Sequence, residues 1–280
     1  MNAALIDYKK LAKCLKSWDY KMNPYDPCVW NKIVLGTQLT LIFHADDALM
    51  SHALLSVVTE HMKLLDEGHG ENDPLTVTRG KIHEHLGMTL DFRTKGSVAF
   101  AQYDATKKYW CSLPTELRGE YKSVPVPENL FKVDEDLPRI DAKLKNDYHT
   151  ATAKCLHFSQ RSRTDIQLAT GFHCTRAKAT TEQDVCKFRH LSGHLWLTRF
   201  LPLIISIDSD REAHTFIDRA HAVHADGRGH SGMHLTMGKG AMMNVLKKLG
   251  LVTTSLTETE VVSNGEWFPK CSWFRYFRLA

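Results

Sequence analysis

The feature that most constrains this chain is a pair of adjacent aspartates that follows a run of strand-forming residues. Residues 38–44 read Gln-Leu-Thr-Leu-Ile-Phe-His, and Asp46 and Asp47 come after a single alanine. The short apolar stretch at 48–50 can return antiparallel, which places both aspartates at the tip of a β-hairpin. Two adjacent carboxylates repel each other unless a cation balances them. The pair therefore indicates a site for Mg²⁺ or Mn²⁺, and an ordinary surface turn is the competing interpretation.

Composition sets the class of protein. The chain has 280 residues, 43% hydrophobic and 24% charged, which excludes disordered and collagen-like classes. No apolar run approaches the roughly 18 residues that span a bilayer, and charges near the amino terminus argue against a secretory signal. Seven cysteines without a Cys-x-x-Cys pair fit reduced intracellular thiols. We therefore expect a protein of the cytoplasm or nucleus with no membrane partner.

The spacing of apolar residues predicts an α+β fold. Helices are expected at 4–22, 52–68, 146–160, 165–176 and 181–200, and strands at 28–34, 38–44, 75–77, 82–92, 97–102, 203–207 and 215–223. Three prolines among charges indicate a connection over residues 119–142. The Gly-rich stretch at 224–240 predicts turns. A last helix is expected from about Glu258, with interruptions at Gly265 and Pro269.

Several motifs occur in an order that resembles the reverse transcriptase of copia-type long-terminal-repeat retrotransposons. The usual signature of that family is Tyr or His followed by Val-Asp-Asp, and here His44 and Ala45 precede the two aspartates. The motifs that carry the resemblance are residues 23–32, 38–47, 85–88, 163–166, 216–224, 228–232 and 255–260. They cover nearly the whole chain.

The resemblance implies an RNA-directed DNA polymerase with a ribonuclease H. It divides the chain into a partial palm with an antiparallel sheet and helices at 1–118, a connector and thumb-like helical region at 119–201, and a partial ribonuclease H-like domain at 202–280. Asp46 and Asp47 would be catalytic metal ligands of the polymerase, and Asp218 and Glu260 those of the ribonuclease H. The implied cofactor is Mg²⁺ or Mn²⁺, and the implied partner is an RNA or DNA primer-template.

Two departures from the family qualify that expectation. The family has a further catalytic aspartate well before the hairpin and a later ribonuclease H aspartate, and no motif here resembles either. We therefore expect a fragment that is inactive alone, with the amino-terminal polymerase segment supplied by another chain. Arg219 follows Asp218 where the family has a small residue, and it is placed to neutralise that carboxylate.

The predicted helical region is the most cationic large segment. From Arg139 through Arg199 there are eleven Lys and Arg against five Asp and Glu, an excess of +6. Such residues contact nucleic-acid phosphates without base-specific geometry. The candidates are Lys143, Lys145, Arg161, Arg163, Arg176, Lys178 and Arg189. They support a second hypothesis, a non-catalytic nucleic-acid-binding remnant, and ordinary solvated helix faces are the alternative.

A third hypothesis is a zinc-stabilised interaction module. Cys186, His190 and His194 are spaced i, i+4 and i+8, so they share one ridge of a predicted helix. A structural zinc ion normally takes four ligands, and Cys174 is the evident fourth candidate. A polar, solvated ridge is the competing interpretation.

Overall fold

The computed structural model describes residues 2–45, 47–69, 75–209 and 211–280, and it has the predicted α+β architecture. The chain divides into two compact units, Met1–Arg79 with Ser272–Ala280, and Gly80–Cys271. This division differs from the predicted boundaries at residues 118 and 201. The reason is strand pairing, since Ser97–Ala101 and Leu203–Ser206 are neighbours in one sheet.

Among the described residues, the first unit combines an antiparallel sheet with two complete helices and the end of a third, which begins in the second unit. Its elements are α1 (Asn2–Ser17), β1 (Lys21–Asn23), β2 (Asp26–Val34), β3 (Thr37–His44), β4 (Asp47–Ser51) and α2 (Leu55–His69). Consecutive strands are neighbours, so the sheet is a meander. The predicted strands at 28–34 and 38–44 and the helix at 52–68 are confirmed to within a few residues. Residues 75–79 form no strand, so the strand predicted at 75–77 is wrong.

One face of this sheet is covered. Along β3, Leu39, Leu41 and Phe43 are buried, whereas Ile42 and His44 are exposed. This alternation is expected of an antiparallel sheet with one face on a core and one face solvated. The core of the unit contains Leu15, Tyr20, Trp30, Leu39, Leu41, Phe43 and Val57, which come from the sheet, both helices and the segment after α1.

The second unit begins with a second antiparallel sheet. Its strands, in spatial order, are β5 (Ile82–His85), β6 (Met88–Asp91), β7 (Ser97–Ala101) and β8 (Leu203–Ser206). The single strand predicted at 82–92 is therefore two strands. Leu86 and Gly87 connect them with φ angles of +51° and +73°, which are typical of a two-residue hairpin turn.

Four helices described in this unit surround its largest hydrophobic core. They are α3 (Tyr103–Ser112), α4 (Ala142–Ser159), α5 (Gln167–Arg176) and α6 (Glu182–Leu197). The last three confirm the predicted helices, and α3 was not predicted. The core includes Tyr109, Leu117, Tyr148, Phe158, Ile166, Val185, Phe188 and Leu191. Residues 119–141 contain no helix or extended strand, which confirms the predicted connection.

A three-stranded sheet and a long helix complete the described chain. The strands are β9 (His214–Ala220), β10 (Arg228–Thr236) and β11 (Met243–Val252), with β10 in the middle, and α7 is Leu256–Leu279. The prediction of turns throughout 224–240 is wrong, because most of that stretch is β10. Glycine there permits close packing, since a β-carbon on Gly232 would lie 2.5 Å from Cδ2 of Leu246. Pro269 lies inside α7 without ending it.

Candidate metal and nucleic-acid sites

The predicted hairpin is present at the end of β3. Strands β3 and β4 pair antiparallel as far as His44 and Asp47, so only residues 45 and 46 connect them. Ala45 is exposed and has a φ of +53°, a left-handed conformation typical of two-residue hairpin turns. The tight turn that the sequence predicts at this point is therefore confirmed.

Asp47 is the described member of the predicted metal pair, and Asp46 lies outside the described residues. Asp47 is the first residue of β4 and is exposed. Carboxylate oxygens are the donors that Mg²⁺ and Mn²⁺ prefer, so this position suits a metal ligand. Across the described ranges, no three His, Cys, Asp or Glu side chains lie close enough together to hold a metal ion. Of the predicted pair, the described structure thus places Asp47 alone, at an exposed position beside the turn.

The two carboxylates assigned to the ribonuclease H by resemblance are separated by a sheet. Asp218 lies in β9 and is exposed, and its Oδ1 accepts a hydrogen bond of 2.8 Å from the backbone N–H of Arg219. Glu260 lies in α7 and forms an ion pair with Arg219. Since side chains alternate along a strand, Asp218 and Arg219 point to opposite faces. Arg219 therefore neutralises Glu260, whereas the expected partner was Asp218.

Neighbouring contacts identify the two faces of this sheet. On the face of Arg219, Trp267 of α7 donates a hydrogen bond of 2.7 Å from Nε1 to Oγ of Ser231. On the opposite face, the side chain of Asn244 in β11 donates from Nδ2 to Oε1 of Gln167 in α5 at 2.9 Å. Helices α7 and α5 thus pack on opposite sides, and the structure does not bring Asp218 and Glu260 together.

Two of the predicted phosphate-binding residues are buried in ion pairs. Arg163 is 2% exposed and binds Asp165 through two hydrogen bonds, from Nε at 2.9 Å and from Nη2 at 2.7 Å. Arg176 donates from Nε to Oδ1 of Asp184 at 3.0 Å, and Asp184 is fully buried. Both guanidinium groups already have carboxylate partners inside the protein. As placed in this structure, neither guanidinium is accessible for a phosphate contact.

The other five predicted phosphate-binding residues are more accessible. Lys143, Lys145 and Lys178 are exposed, and Arg161 is half-buried. Arg189 is also half-buried, and its Nε donates a hydrogen bond of 2.6 Å to the carbonyl oxygen of Glu116. The exposed lysines can therefore contact phosphates in a way that the two buried arginines cannot.

The structure directs the histidines of the proposed zinc ridge to other partners. Nδ1 of His194 is 3.1 Å from the carbonyl oxygen of Lys122, and its Nε2 is 3.0 Å from Oδ2 of Asp165. Nε2 of His190 is 2.9 Å from the carbonyl oxygen of Val124. These neighbours are acceptors, so they favour N–H groups rather than lone pairs directed at a metal. The ridge is also not simply solvated, because His194 is buried.

Asp165 joins His194 and Arg163 in one polar network. Burial acts to raise the pKa of Asp165, but hydrogen bonds from His194 and Arg163 outweigh burial and lower the pKa to about 2. Nη2 of Arg163 also donates to Oγ1 of Thr198 at 2.6 Å. The network ties the start of α5 to the end of α6, so we assign it a structural role.

A stack of aromatic rings, which the sequence did not reveal, lies between α3 and the end of α6. Trp110 and Trp196 are stacked with centroids 5.2 Å apart, and Tyr103 and Phe200 are stacked at 4.6 Å. Cζ of Arg199 lies 4.3 Å from the ring centroid of Trp196 and 4.6 Å from that of Phe200. These five side chains are called the aromatic stack below.

Comparison with known proteins adds no family. No family model matches the chain, and neither the curated proteins nor the solved structures include a match. The resemblance to copia-type reverse transcriptases thus stays an expectation from the ordered motifs of the sequence. Within the described ranges, none of the helices has both the length and the apolar character that crossing a membrane requires.

Proposed function

We propose that this chain derives from the polymerase and ribonuclease H region of a copia-type retrotransposon reverse transcriptase, and that its β3–β4 hairpin binds the catalytic metal. The observation that carries the proposal is the hairpin itself. Its connection has two residues, and exposed Asp47 begins the second strand. The motif order in the sequence and the α+β architecture support the same origin.

The family reaction is template-directed addition of deoxynucleotides to a primer. In that reaction the primer hydroxyl attacks the α-phosphate in line, and pyrophosphate leaves. A bound Mg²⁺ or Mn²⁺ would stabilise the charge on the attacking and leaving oxygens. Asp46 and Asp47 would hold the ion, and the rest of the polymerase site would come from a further segment.

Metal binding at the hairpin is tested with Mn²⁺, whose binding is measured by electron paramagnetic resonance. We expect Asp47→Asn and Asp46→Asn each to weaken Mn²⁺ binding about tenfold or more, because each removes an anionic ligand. Asp19→Asn is the control, since Asp19 is exposed in the same unit and its φ of +60° suits asparagine. Binding that is absent, or that both hairpin variants leave unchanged, contradicts the proposal.

Primer extension separates metal binding from catalysis. We expect no extension by the chain alone with Mg²⁺ or Mn²⁺, because two carboxylates do not complete the polymerase site of the family. Extension that Asp47→Asn abolishes would mean that this chain holds a complete active site. The proposal of an incomplete site would then be wrong, although the origin of the hairpin would stand.

A second candidate function is nucleic-acid binding without catalysis, and the Arg219–Glu260 ion pair favours it. Arg219 pairs with Glu260, the carboxylate that a ribonuclease H metal would need. Lys143 and Lys145 are exposed on α4. This function predicts sequence-indifferent binding that weakens steeply between about 50 and 200 mM salt. The Lys143→Gln/Lys145→Gln variant should show a shallower salt dependence than Lys95→Gln. Binding that does not respond to salt contradicts this function.

A further inference from the structure

We infer that the aromatic stack is a binding surface for single-stranded nucleic acid, in which bases extend the stack and backbone phosphates contact Arg199 and Lys107. The inference rests on the proposal that the chain binds nucleic acid. It adds a place of contact and a chemistry that the lysines of α4 do not provide. Lysines contact phosphates alone, whereas a ring face binds the base itself.

The stack has the geometry that base stacking requires. The planes of Trp110 and Trp196 are 10° apart, and those of Tyr103 and Phe200 are 15° apart, so both pairs are nearly parallel. The guanidinium of Arg199 lies over one ring of each pair, with Cζ 4.3 Å from the centroid of Trp196 and 4.6 Å from that of Phe200, so it brings a positive charge to both pairs. A nucleobase is another flat π system and can continue such a stack without a specific sequence.

Helix α3 adds a positive charge beside the rings. Tyr103, Lys107 and Trp110 are spaced i, i+4 and i+7, so they share one face of the helix. Lys107 is exposed on that face, between the two aromatic positions. The surface therefore combines ring faces with an ammonium group at the spacing of a single helical turn.

Exposure and charge argue for a ligand rather than for internal packing alone. Phe200 is 63% exposed, although phenylalanine is usually buried. Arg199 donates from Nη1 to the carbonyl oxygen of Trp196 at 2.8 Å. Among the described residues, neither Arg199 nor Lys107 has a carboxylate in salt-bridge contact. Both cations can therefore form an ion pair with an anionic ligand. Single-stranded nucleic acid supplies both a π face and a phosphate at short spacing.

The test compares two single-stranded probes of equal length, an oligothymidylate and a strand whose nucleotides are all abasic. Fluorescence anisotropy at low salt measures both affinities. We expect the protein to bind the oligothymidylate at least about fivefold more tightly, which is the effect of stacking one base on an aromatic ring. Phe200→Leu and Tyr103→Leu should each bring this ratio close to one, because leucine keeps apolar volume but has no π face.

Two variants serve as controls. Phe216→Leu removes a phenylalanine of the same unit that is 62% exposed in β9, and it should keep the wild-type ratio. Phe200→Tyr keeps an aromatic face and should also keep the ratio. Circular dichroism establishes that each variant is folded.

The outcomes separate this inference from the proposal on which it rests. Salt-sensitive binding with equal affinity for both strands retains nucleic-acid binding and overturns the stacking surface. A ratio that survives in folded Phe200→Leu and Tyr103→Leu also overturns it. Failure to bind either strand removes the nucleic-acid proposal itself.

Discussion

At the scale of single residues, the Arg176–Asp184 pair shows that a charged residue can form a buried ion pair where the sequence suggests a ligand contact. The sequence places Arg176 on a cationic helix and suggests a phosphate contact. In the structure, Arg176 donates to Asp184, which also accepts from the backbone N–H of Thr181 at 2.9 Å and from its hydroxyl at 3.1 Å. Asp184 is therefore the shared acceptor at the start of α6, and its charge balances a guanidinium that water barely reaches.

We predict that Asp184→Asn destabilises the protein by about 3 kcal/mol or more, because it leaves the buried Arg176 with only the exposed Glu135, whose Oε1 lies 3.8 Å from Nη1, as a counter-charge. The side-chain amide also directs N–H groups at existing donors. Urea unfolding followed by circular dichroism measures the change. Glu182→Gln is the control, since Glu182 lies in the same helical turn and its side chain is 63% exposed, and it should shift stability by at most about 0.5 kcal/mol. Equal effects of the two changes would contradict the assignment.

Ala45 is a residue whose backbone conformation does not suit its side chain. Its φ of +53° lies in the left-handed region, which costs a residue with a β-carbon about 1 kcal/mol. We predict that Ala45→Gly raises the free energy of unfolding by up to about 1 kcal/mol. The matched change Ala48→Gly, in the paired part of β4, should lower it by about 0.5–1 kcal/mol. Thermal unfolding of the two variants gives opposite shifts if the turn is as described.

At the scale of elements, the connection at 119–120 and helix α6 touch through their backbones. A β-carbon on Gly193 would overlap the carbonyl oxygen of Glu120, and one on Gly119 would overlap that of Arg189. Ser192 fixes the same contact, because its Oγ accepts from the N–H of Gly119 at 3.1 Å and donates to the carbonyl oxygen of Leu117 at 2.8 Å. The two glycines are thus required by close approach, although neither has an unusual φ.

We predict that Gly193→Ala destabilises the protein by about 2 kcal/mol or more, because the connection must move away from α6. Gly171→Ala is the matched control in α5. A β-carbon there would meet its nearest neighbours at 3.8 and 3.9 Å, which is ordinary contact. Helix propensity then makes this change neutral or stabilising by up to about 1 kcal/mol. Chemical denaturation of both variants measures the contrast, and a harmless Gly193→Ala would show that the connection is displaced easily.

The elements that the sequence predicted well are those with a local signal. The strand-forming residues at 38–44 and the following aspartates identified β3 and its turn, because β propensity and turn chemistry depend on near neighbours. The prediction of turns at 228–236 failed because Gly229 and Gly232, which suggest turns, instead allow close packing against β9 and β11. The stack of Tyr103 and Phe200 could not be predicted either, because a single sequence contains no local pattern for a contact between residues about a hundred positions apart. A spacing of i and i+7 at Tyr103 and Trp110 was the signal available.

At the scale of the whole molecule, buried histidines make stability depend on pH. Burial lowers the pKa of His173 to about 3, and burial lowers that of His224 and of His230 to about 4. Nε2 of His224 and Nδ1 of His230 are 3.1 Å apart, so one ring must donate and the other accept. That arrangement requires a neutral acceptor ring, and charging both rings would break it.

The sign of the effect follows from the unfolded state, in which histidine titrates near pH 6.5. Between about pH 6.5 and 4, these histidines are protonated in the unfolded chain but stay neutral in the folded protein. The free energy of unfolding is therefore highest above this window and falls as the pH is lowered through it. We predict a loss of a few kcal/mol between pH 7 and pH 4.5, measured by guanidinium unfolding at each pH. His224→Gln/His230→Gln should lose less over the same range, because glutamine does not titrate, whereas His149→Gln, at an exposed position on α4, should keep the wild-type slope. A double variant as acid-sensitive as the wild type would mean that other groups dominate the pH dependence.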